Sequence, residues 1–136
     1  MGAEPAIIIR LEGNGRVYRP GESLCGEYWI QSLPGDQLKA IEASVLWYTE
    51  GKGDEDMAVQ EFWRRDFDAE CSLDPSRPEP FGVRLPGSPL SYEGRIVKIR
   101  WCVRVRVFLQ RGKELLGQKV FQLGDVPSPQ AGGLSG

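Results

Sequence analysis

The stretch from Arg95 to Gln110 restricts the fold of this chain more than any other. Val97, Ile99, Trp101, Val103, Val105, Val107 and Leu109 occupy one parity, while Lys98, Arg100, Cys102, Arg104 and Arg106 occupy the other. Side chains alternate across a strand, so the first set predicts a core face and the second a solvent face carrying positive charge. A helix would scatter both sets around its axis. A strand of this length, apolar on one side only, needs a second layer to cover that side.

Shorter segments repeat the pattern. Period-two runs are predicted over Ala6–Glu12, Ser23–Ser32, Leu38–Glu50, Ala58–Cys71, Phe81–Leu85 and Leu115–Leu123, with a brief strand at Val17–Tyr18 after the Gly13-Asn14-Gly15 turn. Pro75, Pro78 and Pro80 are expected to end the fourth run. No stretch sustains helical apolar spacing. Seven to eight strands predict an all-β, immunoglobulin-like, two-sheet antiparallel β-sandwich over residues 1–124. Residues 125–136, DVPSPQAGGLSG, are expected to form a flexible C-terminal tail.

Charge and composition narrow the function. The chain has 136 residues, a formal charge of −2 and no histidine. That balance advertises neither nucleic acid nor a membrane surface, and no run is long enough for a membrane span. Absence of histidine removes the commonest general base and metal ligand, so no catalytic residues, metal or cofactor are expected. GESLCG lacks the spacing of a nucleophile elbow, and Asp54, Glu55 and Asp56 are consecutive, which splays them as a solvated tip rather than around calcium. Cys25, Cys71 and Cys102 form no CxxC pair. Parity puts Cys25 and Cys102 on outward faces, so an inter-sheet disulfide is not expected and a cytoplasmic location is.

Two separated blocks carry a resemblance. The first is Tyr18-Arg19-Pro20-Gly21-Glu22 followed by Leu24, Gly26, Tyr28 and Ile30. The second is Pro80-Phe81-Gly82-Val83-Arg84-Leu85-Pro86, then Leu90-Ser91-Tyr92-Glu93-Gly94, then Ile99, Trp101, Val103 and Val105. Together, in this order and over about residues 6–124, they resemble the amino-terminal domain of the arrestin family. The resemblance implies an arrestin-like sandwich and a non-enzymatic protein-binding adaptor or scaffold. It assigns Pro20, Gly21, Glu22, Gly26, Phe81, Leu85, Pro86, Ser91, Tyr92 and Gly94 structural roles. Arrestins pair two such sandwiches and, in phosphate sensors, carry adjacent lysines near the first strand; here that strand reads AIIIRLEG, with Arg10 alone. The phosphoreceptor switch is therefore not transferred.

Three candidate surfaces follow. Lys98, Arg100, Arg104 and Arg106 form a stripe that either clamps an anion or phosphopeptide or pairs with Asp66, Asp68 and Glu70. Trp29 shares its face with Cys25 and Glu27, so it lies under a loop or anchors a partner. Trp101 and Trp47 fall on core parity, whereas one of Phe62 and Trp63 must face out. The first strand, with Ile8 at its centre, is expected at a sheet edge, where a protein partner or extended peptide adds a strand. A symmetric homodimer is the structural alternative use of that edge. An extracellular or envelope adhesion module is the alternative of another class, followed by a small hydrolase.

Overall fold

The computed structural model describes residues 4–13, 16–53, 55–67 and 74–124. The described residues form nine strands: β1 (Ala6–Leu11), β2 (Val17–Tyr18), β3 (Ser23–Gln31), β4 (Leu38–Gly51), β5 (Met57–Asp66), β6 (Glu79–Arg84), β7 (Tyr92–Glu93), β8 (Val97–Leu109) and β9 (Glu114–Leu123). The smaller sheet has the order β1-β3-β6; the larger has β2-β9-β8-β4-β5, with β7 also pairing β8. Every pairing is antiparallel except that of the two-residue β2 with β9. Among the described residues the only helical piece is a 3₁₀ turn at Gly35–Gln37. None of their helices is long and apolar enough to cross a membrane.

The β8 alternation translates directly into layering. Trp101, Val103, Val105 and Val107 are fully buried between the sheets. Trp101 and Val103 join Leu24, Leu85 and Phe121 in one half of the core, and Val105 and Val107 join Tyr28, Ile30 and Ile41 in the other. Trp101 also donates its indole N–H to the Pro89 carbonyl at 2.8 Å, so burial leaves that donor satisfied. Trp47 packs against this core from a partly buried position.

The two sequence blocks meet in space. Gly21 N–H donates to the Leu85 carbonyl at 3.0 Å, and Leu85 N–H donates to the Glu22 carbonyl at 2.8 Å. Gly21 sits at φ 82°, a conformation glycine adopts without steric cost. The Glu22 carboxylate accepts from the Arg19 N–H at 2.7 Å and pairs with Arg16 at 2.8 Å; the backbone bond first, and Arg16 next, lower its pKa. Gly26 lies where a Cβ would stand 2.4 Å from the Arg10 carbonyl and 2.9 Å from the Phe81 ring. Only a residue without a side chain lets β1 and Phe81 close over it.

Several expectations change. The fourth run ends at Asp66, before the three prolines, and Pro80 lies inside β6 instead of terminating a strand. Its ladder position costs nothing because β6 is an edge, where a missing N–H can face away from the sheet. Tyr92 and Glu93 of the Ser-Tyr-x-Gly turn form β7 against Ile99 and Lys98. Residues Asp68, Glu70, Cys71, Asp54 and 125–136 lie outside the described residues.

Candidate functional site

The solvent face of the larger sheet is built by cross-strand register. On β4, Glu42, Ser44, Leu46, Tyr48 and Glu50 stand beside Arg106, Arg104, Cys102, Arg100 and Lys98 of β8. On the other flank, Leu116, Gln118 and Val120 of β9 face Arg106, Arg104 and Cys102. All four predicted cations therefore share one face, as parity required.

Of the predicted partners Asp66 pairs elsewhere, and Asp68 and Glu70 lie outside the described residues. Lys98 pairs with Glu93 at 3.0 Å, Arg106 with Glu114 at 3.5 Å, and Arg100 with Glu50 and, at 3.7 Å, Glu93. The hydrogen bond from Lys98 depresses the Glu93 pKa, and that to Glu50 raises the Arg100 pKa. Asp66 instead binds Arg64, which also holds Glu42. The physical reason is topological: β4 stands between β5 and β8, so Asp66 of β5 is one strand removed from the stripe and meets Arg64 of its own strand. Register supplies Glu50, Glu93 and Glu114, which residue parity alone does not single out.

Arg104 differs from the others. Among the described residues it has no carboxylate within 4.0 Å. Its Nε donates to Gln118 Oε1 at 3.0 Å, and its guanidinium lies 5.9 Å from the Tyr48 ring centre. Gln118 in turn donates to the Tyr48 hydroxyl at 3.2 Å. This holds one guanidinium upright without neutralising it, so it keeps donors for an incoming oxyanion.

Cys102 corrects an inference from parity. It occupies the cation face, yet its side chain is fully buried, flanked by Leu46 and Val120 in register. Outward direction fixes the layer, whereas burial depends on lateral neighbours and on the long arginine stems beside it. Burial pushes the Cys102 thiol up to about 11, with Arg104 opposing part of the shift. Cys25 and Cys102 are both free thiols.

The second candidate surface lies on the smaller sheet. Ile8 and Trp29 are directly opposed across β1 and β3. Both are half-buried, and the Arg10 guanidinium sits 5.7 Å from the Trp29 ring centre while pairing with Glu27. Trp29 therefore has a cation beside it. β1 ends its sheet and has no strand partner on its outer side among the described residues, although β9 lies against it: a Cβ at Gly117 would stand 2.8 Å from the Ile7 side chain. Of the adjacent aromatic pair, Phe62 faces out and Trp63 packs 5.8 Å from Phe81.

No three His, Cys, Asp or Glu side chains among the described residues converge. A cleft of 760 Å³ at the β8–β9 turn is lined by Glu4, Asp36, Gln110, Arg111 and Lys113 among others, with no Ser, Thr or Cys nucleophile in its wall.

No protein family and no curated protein matches this sequence. Among solved structures, the sporulation control protein Spo0M from Bacillus subtilis superimposes with a TM-score of 0.64 at 17% sequence identity, over 92% of this chain and 51% of that one. The chain thus spans about half the length of its structural neighbour. Two β-sheets in this topology, together with that likeness, place the chain in the arrestin-like β-sandwich fold.

Proposed function

We propose that this chain is a non-enzymatic adaptor or scaffold module that binds a protein partner or an extended peptide in the cytoplasm. In this reading residues 1–124 work as one sandwich, with 125–136 as a tail. The observation carrying it is β1, a strand with three consecutive isoleucines that ends the smaller sheet without a hydrogen-bonded strand on its outer side among the described residues. An incoming strand gains backbone hydrogen bonds there, and Ile8 with Trp29 supplies an apolar anchor on the outer face. A regulatory role is compatible with the neighbour, itself described as a sporulation control protein.

Peptide capture from native extract, followed by titration of the captured peptide, tests this. The Glu12 N–H donates to the Cys25 carbonyl, so in this register the Ile8 N–H points to β3 and the Ile9 N–H to the outer side. Ile9→Pro removes a backbone donor from the edge and is expected to abolish binding while circular dichroism retains the sandwich signal. Unchanged affinity in that folded variant overturns the edge reading. A phosphorylated or acidic peptide is further expected to use Arg104, the cation without a carboxylate. The double change Arg104→Ala, Arg106→Ala should then weaken it about tenfold. Equal affinity would remove the anion site.

A further inference from the structure

Sheet edges that meet water are normally kept from pairing by shortness, proline, lysine or inward charge. Two edges of this sandwich follow that practice: β2 has two residues, and β6 carries Pro80. β5 does not. It has ten residues, contains neither proline nor lysine, and pairs only with β4 among the described residues. Met57, Val59 and Phe62 are each about half exposed along it, at 51%, 50% and 52%. A bulge at Gln60, where Glu61 opposes Val45 and Val59 opposes Leu46, leaves Glu61–Asp66 as the regular stretch.

We infer that this stretch is a self-association edge: a second copy of the chain adds its own β5, antiparallel, about a twofold axis at Trp63. A twofold perpendicular to the sheet keeps the same face up in both copies, so residues of like parity meet. Centred on Trp63, Glu61 faces the Arg65 of the other copy twice, and Phe62 faces Arg64. The neighbouring face-preserving registers do worse. Centring on Glu61 or Arg64 puts identical charges together, centring on Arg65 does the same, and centring on Phe62 forms no Glu61–arginine pair. Glu61 is also exposed and enters no ion pair among the described residues, while Arg65 already holds Glu79 at 2.7 Å and retains donors for a second carboxylate. Charge complementarity thus selects this chain's own strand as the occupant. The inference does not depend on the adaptor reading, because it concerns a different edge on the other sheet.

Sedimentation velocity over a concentration series tests it, with a reversible monomer–dimer equilibrium expected for the full chain. Glu61→Arg, an exposed change, sets a second guanidinium against Arg65 at both ends of the pairing and is expected to weaken dimerisation about tenfold or more. Phe62→Arg, facing Arg64, should act similarly. Leu116→Arg, equally exposed but on β9, should leave the equilibrium unchanged. The double variant Arg65→Glu, Glu79→Arg keeps the intrachain pair and is expected to be monomeric alone. Mixed with Glu61→Arg, it should recover a dimer, since opposite charges then meet at both positions. A wild type that is monomeric at every concentration overturns the inference. So does a dimer insensitive to Glu61→Arg and Phe62→Arg, or one broken by Leu116→Arg instead.

Discussion

The two faces of β8 are written in one thirteen-residue strand, yet they obey different rules. Toward the smaller sheet, direction and burial coincide: Trp101, Val103, Val105 and Val107 point inward and are fully covered. On the opposite face they part. Arg106 is exposed, Arg104 is intermediate, and Cys102 between the arginines is as buried as the valines. At the middle of the strand an inner position is covered by the opposite layer whatever its neighbours are; toward the ends Val97, Ile99 and Leu109 are only half-buried. An outer position is covered only by what stands beside it on β4 and β9.

Substitutions along β8 should separate those rules. The largest effect belongs inside. Trp101→Ala is expected to cost about 3–5 kcal/mol by urea unfolding, because a large buried ring is lost and the Pro89 carbonyl loses its donor. A cost comparable to an exposed substitution would mean that this half of the core rearranges readily. Next comes an alkaline effect from the outer face. The Cys102 thiol is raised from 9.0 to about 11, so its protonated form is favoured in the fold. Its contribution is complete below pH 9 and declines between 9 and 11, by about 2–3 kcal/mol over that window. Cys102→Ala should remove that part of the alkaline slope; an identical slope would show that the thiol is not shielded.

Cys102→Ser tests the shielding without pH. A hydroxyl placed between Leu46 and Val120 is expected to cost about 1–3 kcal/mol. A negligible change would place Cys102 with the exposed positions of its parity. The smallest effect is expected at Arg104→Ala, at most about 1 kcal/mol in thermal unfolding, since its contacts are solvent-exposed and no carboxylate is left unpaired. A larger loss would assign the arginine stem a principal share in covering Cys102.

Much of the layering was legible in advance because strand periodicity is local: each residue of β8 declares its face from the identity of the next. The Gly21 turn and the Gly26 gap were legible for the same reason, since glycine marks a backbone demand at its own position. What sits opposite what is not local. The partners Glu50, Glu93 and Glu114 belong to three different strands, and only the register of β4, β7 and β9 against β8 brings them to the stripe. β7 escaped notice because two residues show no period. Phe62 and Trp63 could be divided into one inward and one outward residue, but choosing between them required knowing that Phe81 of the other sheet meets Trp63.

The reciprocal bonds between Gly21, Glu22 and Leu85 also carry a kinetic consequence. The larger sheet contains the hairpins β4–β5 and β8–β9, whose partners are neighbours along the chain. The smaller sheet is different: β6 reaches β3 only after β4 and β5 have intervened, so its closure bears the entropy of a long loop. During synthesis, closure of Leu85 onto the turn at Gly21 completes the smaller sheet, but its apolar side waits uncovered until β8 and β9 have emerged, because Trp101, Val103, Val105 and Val107 are what cover Leu24, Tyr28 and Ile30. That interval is the chain's most aggregation-exposed moment.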